Sequence, residues 1–557
     1  MTPSHRPSLR QVLLLLLPFV VAAFFVACGG SSESGEAGGS GAAERTADQQ
    51  ADTAVEADNS TSSSAVAGDE AGTDDRTAAD DQGQPEGQEE TAEQEETAGQ
   101  DETAAEAAPV PVRYDGSFAD TIQPIFADRC ASCHSPGGPG TAHWVLETAD
   151  DVLEWYDLLP LLLESRTMPP WPAGGDSPAF HEDRSLSPDQ LAAVLDWVED
   201  GAPLDVPLDA PIEPTTDVVG LVEPDLLLTA PNPYTGSTDV TDDYRCQIFD
   251  PQLPDGGWLT DYEFIPDKTE VVHHAIGYLV PASVRERAEE RDGEDGKPGW
   301  SCYGSSGLGE DELFIGWAPG QLPTEYPDGT GLWIEPGSFL VIQIHYHYET
   351  SAPADRSVLA VNIADADEVA AAGGAPGPIR VSEYIAPAEI PCAVGEIGPL
   401  CDRDVAYAAA VDRYGQVGVQ ADLFLRVCGY TVEDFADMTD GRAWSACDIP
   451  VGAVGGAGEI VSVLGHQHEI GDWFKMTLNP GEPDEQVLLH IPDWDFDWQY
   501  NYRPVEQIIL ERDDVVRIEC GWDRNRRDPD LEPAYVLWAD GTNDEMCFAT
   551  ITTRPPR

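Results

Sequence analysis

From residue 31 to about 108 the chain holds almost no large apolar side chain, and this decides where folding can happen. The stretch is built of Ala, Gly, Ser, Thr, Gln, Asp and Glu. It cannot bury enough apolar surface to offset chain entropy, so residues 28–110 are expected to form a disordered acidic tether. The stretch carries 22 acids against two arginines. The whole chain has a formal net charge of −74, so most of the negative charge falls on the parts that must fold. Such a surface self-repels and stays soluble. It argues against nucleic acid as a partner, because that binding needs basic patches. A salt-adapted host would explain the charge equally well.

Ahead of the tether, His5, Arg6 and Arg10 precede an apolar run from Val12 to Ala27, interrupted by Pro18. The run is short for a membrane span and has the layout of an export signal. It ends in FFVAC, which resembles a bacterial lipobox, with Ala27 before Cys28 and Phe25 where Leu is usual. Residues 1–27 therefore read as a lipoprotein signal peptide and Cys28 as the lipid anchor. The alternatives are an uncleaved anchor or a plain signal peptide. Gly29 stands where an inner-membrane retention Asp would sit. The expected address is exported, periplasmic or outer-membrane/cell-surface, with the lipid as the only hold on the membrane.

After the tether, Phe118, Ile122, Ile125 and Phe126 recur at helical spacing and lead into Cys130-Ala-Ser-Cys133-His134. CxxCH is the attachment pattern of a c-type haem: two thiols add across the vinyl groups, and the adjacent imidazole becomes the proximal ligand. The plainer reading is a redox or structural CxxC followed by a chance His. Met168, in a loop stiffened by Pro169 and Pro170, is the expected sixth ligand, with His143 and His181 as rivals. Ser187-Pro188-Asp189 predicts a helix start, Leu191, Val194, Leu195 and Val198 its apolar face, and Gly201 its end. Residues 111–206 thus read as a small all-α cytochrome c domain.

From about residue 220 the pattern changes to short alternating runs broken by Gly and Pro, with a helix expected only near ASVRERAEER. This predicts all-β sandwiches. Eleven cysteines are present. Setting aside Cys28 and the CxxC pair, eight remain, which in an exported chain predicts up to four disulfides of undetermined connectivity. Six histidines fall in three groups: His273-His274, His345 with His347, and His466 with His468. A His-x-His pair on a strand puts both rings on one face, a two-point clamp for a metal. An adjacent His-His pair points to opposite faces and can chelate only if its strand twists or bulges. Clustered neutral imidazoles suit copper, zinc, iron or nickel, whereas a lone buried His is better explained by hydrogen bonding.

The order of these groups resembles the copper type II, ascorbate-dependent monooxygenases, the family of peptidylglycine α-hydroxylating monooxygenase and dopamine β-monooxygenase. That family shows an HH pair, then Q-x-H-Y, then H-x-H, and last D/E-E-M-C. This chain has His273-His274, Gln343-Ile344-His345-Tyr346, His466-Gln467-His468 and Asp544-Glu545-Met546-Cys547. The resemblance implies two jelly-roll-like sandwich domains, residues 215–368 and 369–557, each supplying one copper across a solvent-filled cleft. It implies that His273, His274 and His345 bind an electron-transfer copper, and that His466, His468 and Met546 bind the catalytic, oxygen-binding copper. His347 departs from the family motif, and His490 has no counterpart in it. In the family the cysteine equivalent to Cys547 is disulfide-bonded to one upstream. Cys520 is the expected partner here, and Cys246 with Cys302 the next expected bridge.

The implied function is hydroxylation of a substrate C–H bond with O₂, on a small molecule or peptide. In the family ascorbate reduces both coppers; here the preceding CxxCH module suggests a protein electron donor acting through the haem. The alternatives are a non-enzymatic haem/copper electron-transfer or copper-binding lipoprotein and, more remotely, a zinc-bearing adhesive β-sandwich.

Overall fold

The computed structural model of the chain describes residues 113–556, apart from 137, 143, 216–219, 222, 349, 374–376 and 417. The signal, Cys28, the tether and His143 lie outside the described residues. Helices come first. A π-helical turn, Phe118–Ile122, runs into the α-helix Gln123–Arg129, and a single turn, Ala131–His134, carries the CxxCH residues. Phe118, Ile122, Ile125 and Phe126 are all buried, as their spacing predicts. They pack on Trp197 from the helix Pro188–Glu199, which starts in a Ser187/Gln190 capping box. The buried face of that helix is Ala193, Val194 and Trp197, with Leu191 and Val198 at its edges. Trp197 takes the central place because its indole Nε1 donates to Pro203 O at 3.0 Å while its rings fill the core.

The rest is mostly β-sandwich sheet with few helices. One hydrophobic core lies between a five-stranded and a six-stranded sheet; a second joins two four-stranded sheets. The expected helix occurs at Arg285–Arg291. Others escape the sequence reading, among them Ala366–Gly373, Arg403–Tyr414 and Ala421–Cys428, the last two because their exposed faces break the apolar pattern.

The central strand of the five-stranded sheet is Phe339–His347, buried along its whole length up to His347. It lies between Asp242–Phe249 and Val272–Val280, with Tyr244 and His274 both opposite His345. In the other sandwich, Gly458–His466 pairs with Phe548–Arg554, and His466 is opposite Phe548. Four disulfides close: Cys246–Cys302, Cys392–Cys401, Cys428–Cys447 and Cys520–Cys547. They are consistent with an exported chain that folds in an oxidising compartment. Cys520–Cys547 joins the strand Val515–Asp523 of one sheet to the start of Phe548–Arg554 in the facing sheet. Among the described residues no helix is long and apolar enough to cross a membrane.

The two textures are not separate bodies. Phe180, from the loop between the Met168 turn and the helix Pro188–Glu199, is buried in the core of the second sandwich. Around it, His181 N donates to Arg503 O and Val505 N to Ala179 O. Ser177 Oγ donates to His490 O, and His490 pairs with Asp176 through Nδ1. His490 is therefore an anchor for this loop.

Candidate metal and haem centres

A β-bulge builds the first histidine group. The register of Val272–Val280 against Phe339–His347 shifts between Val272 and His274. The shift removes the ideal alternation, so His273 and His274 turn toward the same place. His274 Nδ1 is 3.1 Å from His273 Nδ1 and 3.3 Å from His345 Nδ1. Candidate ligand atoms of all three lie within 4.8 Å of one another. Two nitrogens 2.0–2.1 Å from one ion at tetrahedral or trigonal angles sit about 3.3–3.6 Å apart, so the spacing suits a metal.

Protonation points the same way. His345 Nε2 is 2.9 Å from Asp242 Oδ1, whose pKa is held well below the carboxylate range by hydrogen bonds from His345 and His347, against the opposing cost of burial. An ionised carboxylate only accepts, so Nε2 carries the proton and the Nδ1 lone pair of neutral His345 faces His274. Burial is the main cause that lowers His345 to about 4 and drives His274 well below its ordinary value. Both rings are therefore neutral at pH 7, as ligands must be. His347 Nδ1 is bound to the same Asp242 oxygen at 2.9 Å, so it supports the group by holding its carboxylate. Tyr244 stacks flat on His345 at 4.3 Å, and Phe496 stacks on His273 at 4.4 Å.

The second group is built differently. His466 ends its strand, while His468 lies beyond it in the following turn, so strand alternation does not place this pair. Their rings are nevertheless 5.1 Å apart. His466 Nδ1 donates to Gln499 Oε1 at 2.5 Å and His468 Nδ1 to the Asp544 carbonyl at 3.1 Å. A carbonyl oxygen only accepts, so each ring is fixed with its lone pair on Nε2. Burial lowers His466 to about 4 and His468 well below its ordinary value.

Met546 lies in the loop that leads to Phe548–Arg554, partly buried against the second core. Sequence reasoning passed over what holds that loop. Glu545 is fully buried and accepts from His468 N, Ile470 N and Trp522 Nε1, each at 3.0 Å, and from Met546 N at 3.2 Å. The same loop reaches the first group, since Thr542 Oγ1 is 3.4 Å from His345 Nε2. The resemblance implied a solvent-filled cleft between the two groups. Here the His274 and His466 rings are 6.0 Å apart, centre to centre, so the groups adjoin.

At the CxxCH turn, Cys130 and Cys133 are both unbridged, and burial pushes the Cys130 thiol up to about 12. His134 Nδ1 donates to Trp144 O at 2.9 Å, which places the lone pair on Nε2. Gly140 lies so close to the imidazole that a Cβ there would come within 2.7 Å of His134 Cε1. Two thiols, an oriented imidazole and a glycine cradle fit a covalently attached haem. Met168 packs against the same helical core, whereas His181 is exposed.

No protein-family model matches the chain, and no curated protein matches it. Among solved structures, an oxalate decarboxylase aligns at 8% identity over 61% of this chain and 79% of its own, with a TM-score of 0.12. Vicilin from Corylus avellana aligns at 8% identity over 56% and 76%, with a TM-score of 0.10. An 11S allergen from Cocos nucifera gives 6% identity over 60% and 90%, with a TM-score of 0.10. Overlaps this weak carry no argument about this chain.

Proposed function

We propose that the protein is an exported, lipid-anchored haem–copper monooxygenase that hydroxylates a substrate C–H bond with O₂. In this reading residues 111–206 are a cytochrome c domain and the two sandwiches are jelly-roll-like copper domains. The observation that carries it is the meeting of three Nδ1 atoms from His273, His274 and His345 beside the oriented His466–His468 pair. His273, His274 and His345 would hold one copper; His466, His468 and Met546 would hold the other, where a soft thioether favours Cu(I). Cys130, Cys133 and His134, with Met168, would hold the haem.

Bound copper supplies the activation of O₂ and the oxidation of the C–H bond, chemistry no side chain here provides. The chain's residues prepare for it. Asp242 fixes which nitrogen of His345 bears the proton. Gln499 and the Asp544 carbonyl do the same for His466 and His468. Glu545 ties the Met546 loop to the turn that carries His468. Phe496, packed on His273 and 6.2 Å from the His468 ring, covers both groups on one side and limits water.

The test is metal analysis of copper-loaded protein followed by turnover on a substrate panel under ¹⁸O₂. The expected result is two coppers and one c-type haem per chain, with label in a hydroxylated product. A preparation that binds no copper defeats the reading. A second reading, a non-enzymatic haem/copper electron-transfer protein, is favoured by the closeness of His274 and His466, which leaves little width for a substrate. Two retained coppers with rapid electron exchange and no labelled product from any substrate would select it.

A further inference from the structure

One segment, residues 496–500, contacts the loop that carries Met168 and both histidine groups. At one end Tyr500 is buried against the loop that carries Met168. Its ring stacks on Trp171 at 5.9 Å and 26°, and its hydroxyl donates to Pro170 O at 3.4 Å. The Arg184 guanidinium covers the same ring at 5.1 Å and donates to Gly320 O at 2.9 Å, which ties the helical module, Tyr500 and the first sandwich together. Trp498 stacks on Tyr500 at 6.3 Å, and a Cβ on Gly320 would come within 2.8 Å of its ring.

At the other end the segment meets both histidine groups. Gln499, next to Tyr500 in the chain, accepts from His466 Nδ1 at 2.5 Å. Its amide donates to Phe496 O at 2.8 Å, which closes a compact turn and places the Phe496 ring on His273. A loop needed only to dock the helical module would have no reason to end in contacts with both candidate metal groups.

We propose that residues 496–500 are the path by which one electron passes from a ferrous haem at Cys130, Cys133 and His134 to a cupric ion held by the histidine groups. The electron enters at Trp171 and Tyr500 and leaves through Gln499 to His466 and through Phe496 to His273. Iron is oxidised from Fe(II) to Fe(III) and copper is reduced from Cu(II) to Cu(I); no proton or atom moves. This rests on the haem and copper assignment above and adds to it the residues that join the two.

The experiment uses the full chain carrying haem and Cu(II), without O₂ or substrate. The haem is reduced by a light pulse, and its re-oxidation is followed by absorbance. Trp171→Leu, at a ring that packs on Tyr500 and Tyr502, is expected to slow re-oxidation about tenfold by loosening an aromatic contact. Tyr500→Phe keeps the stack and loses the hydroxyl, so its rate should fall by about twofold only. Direct reduction of Cu(II) by added ascorbate should be unchanged in both variants. Wild-type haem re-oxidation rates in both variants, with haem and copper fully bound, would overturn the path and leave the assignment standing. A wild-type chain that holds no haem or no copper overturns the assignment, and the path with it.

Discussion

The two histidine groups, proposed for similar work, have opposite construction. The first is set almost wholly by strand register. His345 stands on the central strand of a five-stranded sheet, His274 is its cross-strand neighbour, and one bulge brings in His273. Its second partner is a charge, Asp242. The second group hangs on chain ends and a loop. His466 finishes a strand, His468 follows in a turn, and Met546, its proposed third ligand, stands in a loop held by a disulfide and a buried carboxyl group. Its hydrogen-bond partners are neutral carbonyls. A sheet-borne site is rigid without help, whereas a loop-borne site needs fasteners, and the fasteners are where the second group can be broken alone.

The largest effect should come from the covalent fastener. Replacing Cys520 and Cys547 together by Ala opens a bridge between residues 27 apart in the chain. The loss should be about 3–4 kcal/mol of stability, read by denaturant unfolding. Copper binding should fall by one ion per chain, with the first group retained. If both ions are lost, the loop also supports the first group, and the two groups are not independent.

Glu545 is the non-covalent fastener. Burial raises its pKa to about 8, although four N–H donors pull the other way. Glu545→Ala would strand the donors on His468, Ile470, Met546 and Trp522, and each donor that water does not reach costs about 1 kcal/mol. The unfolding midpoint should drop, and second-site metal should be lost while the first site keeps its ion. Glu545→Gln keeps the shape and part of the bonding and should fall between the two.

A pH-gated effect belongs to Asp540, which binds Gly304 N and so links the same loop to the first sandwich. Burial raises its carboxyl from 3.8 to about 7. A group whose folded pKa is raised stabilises fully below its unfolded pKa, and that contribution is lost as pH rises through the folded value. Its contribution to stability should therefore decline between about pH 4 and 7. Asp540→Asn should remove that slope, as read from unfolding midpoints across the range. An unchanged slope would show that Asp540 is charged in the folded chain.

Much of this construction was legible, for reasons that differ by element. The helix leading into Cys130 announced itself because four large apolar side chains recur on one face, and all four are buried. The strand Phe339–His347 opens with four apolar residues just after Gly337 and goes on with Gln343, His345 and His347 alternating with Ile344 and Tyr346. The bulge at His273 was not legible, because it is a mismatch between two strands and no local residue encodes it. Glu545 was hidden as well: it looks like one acid in an acidic run, and only the fold gives it four donors. Residues 496–500 carry no local pattern to read, since their partners lie more than 300 positions away in Pro170, Trp171 and Arg184 or on distant strands.

The smallest effect isolates the charge that distinguishes the first group. Asp242 Oδ1 accepts from both His345 Nε2 and His347 Nδ1 at 2.9 Å. Asp242→Asn preserves the shape but removes the ionised acceptor that holds His345 with its lone pair on Nδ1. An amide can also present its NH₂ to the ring, which would favour the other tautomer and turn the proton toward the metal position. First-site metal affinity should fall about 10–100-fold, the usual effect of losing a carboxylate behind a histidine ligand. Second-site affinity should be unchanged, because His466 and His468 are oriented by Gln499 and the Asp544 carbonyl. Competitive metal titration of the two sites reads both numbers in one experiment. An equal fall at both sites would mean that the 6.0 Å between His274 and His466 couples them into one unit.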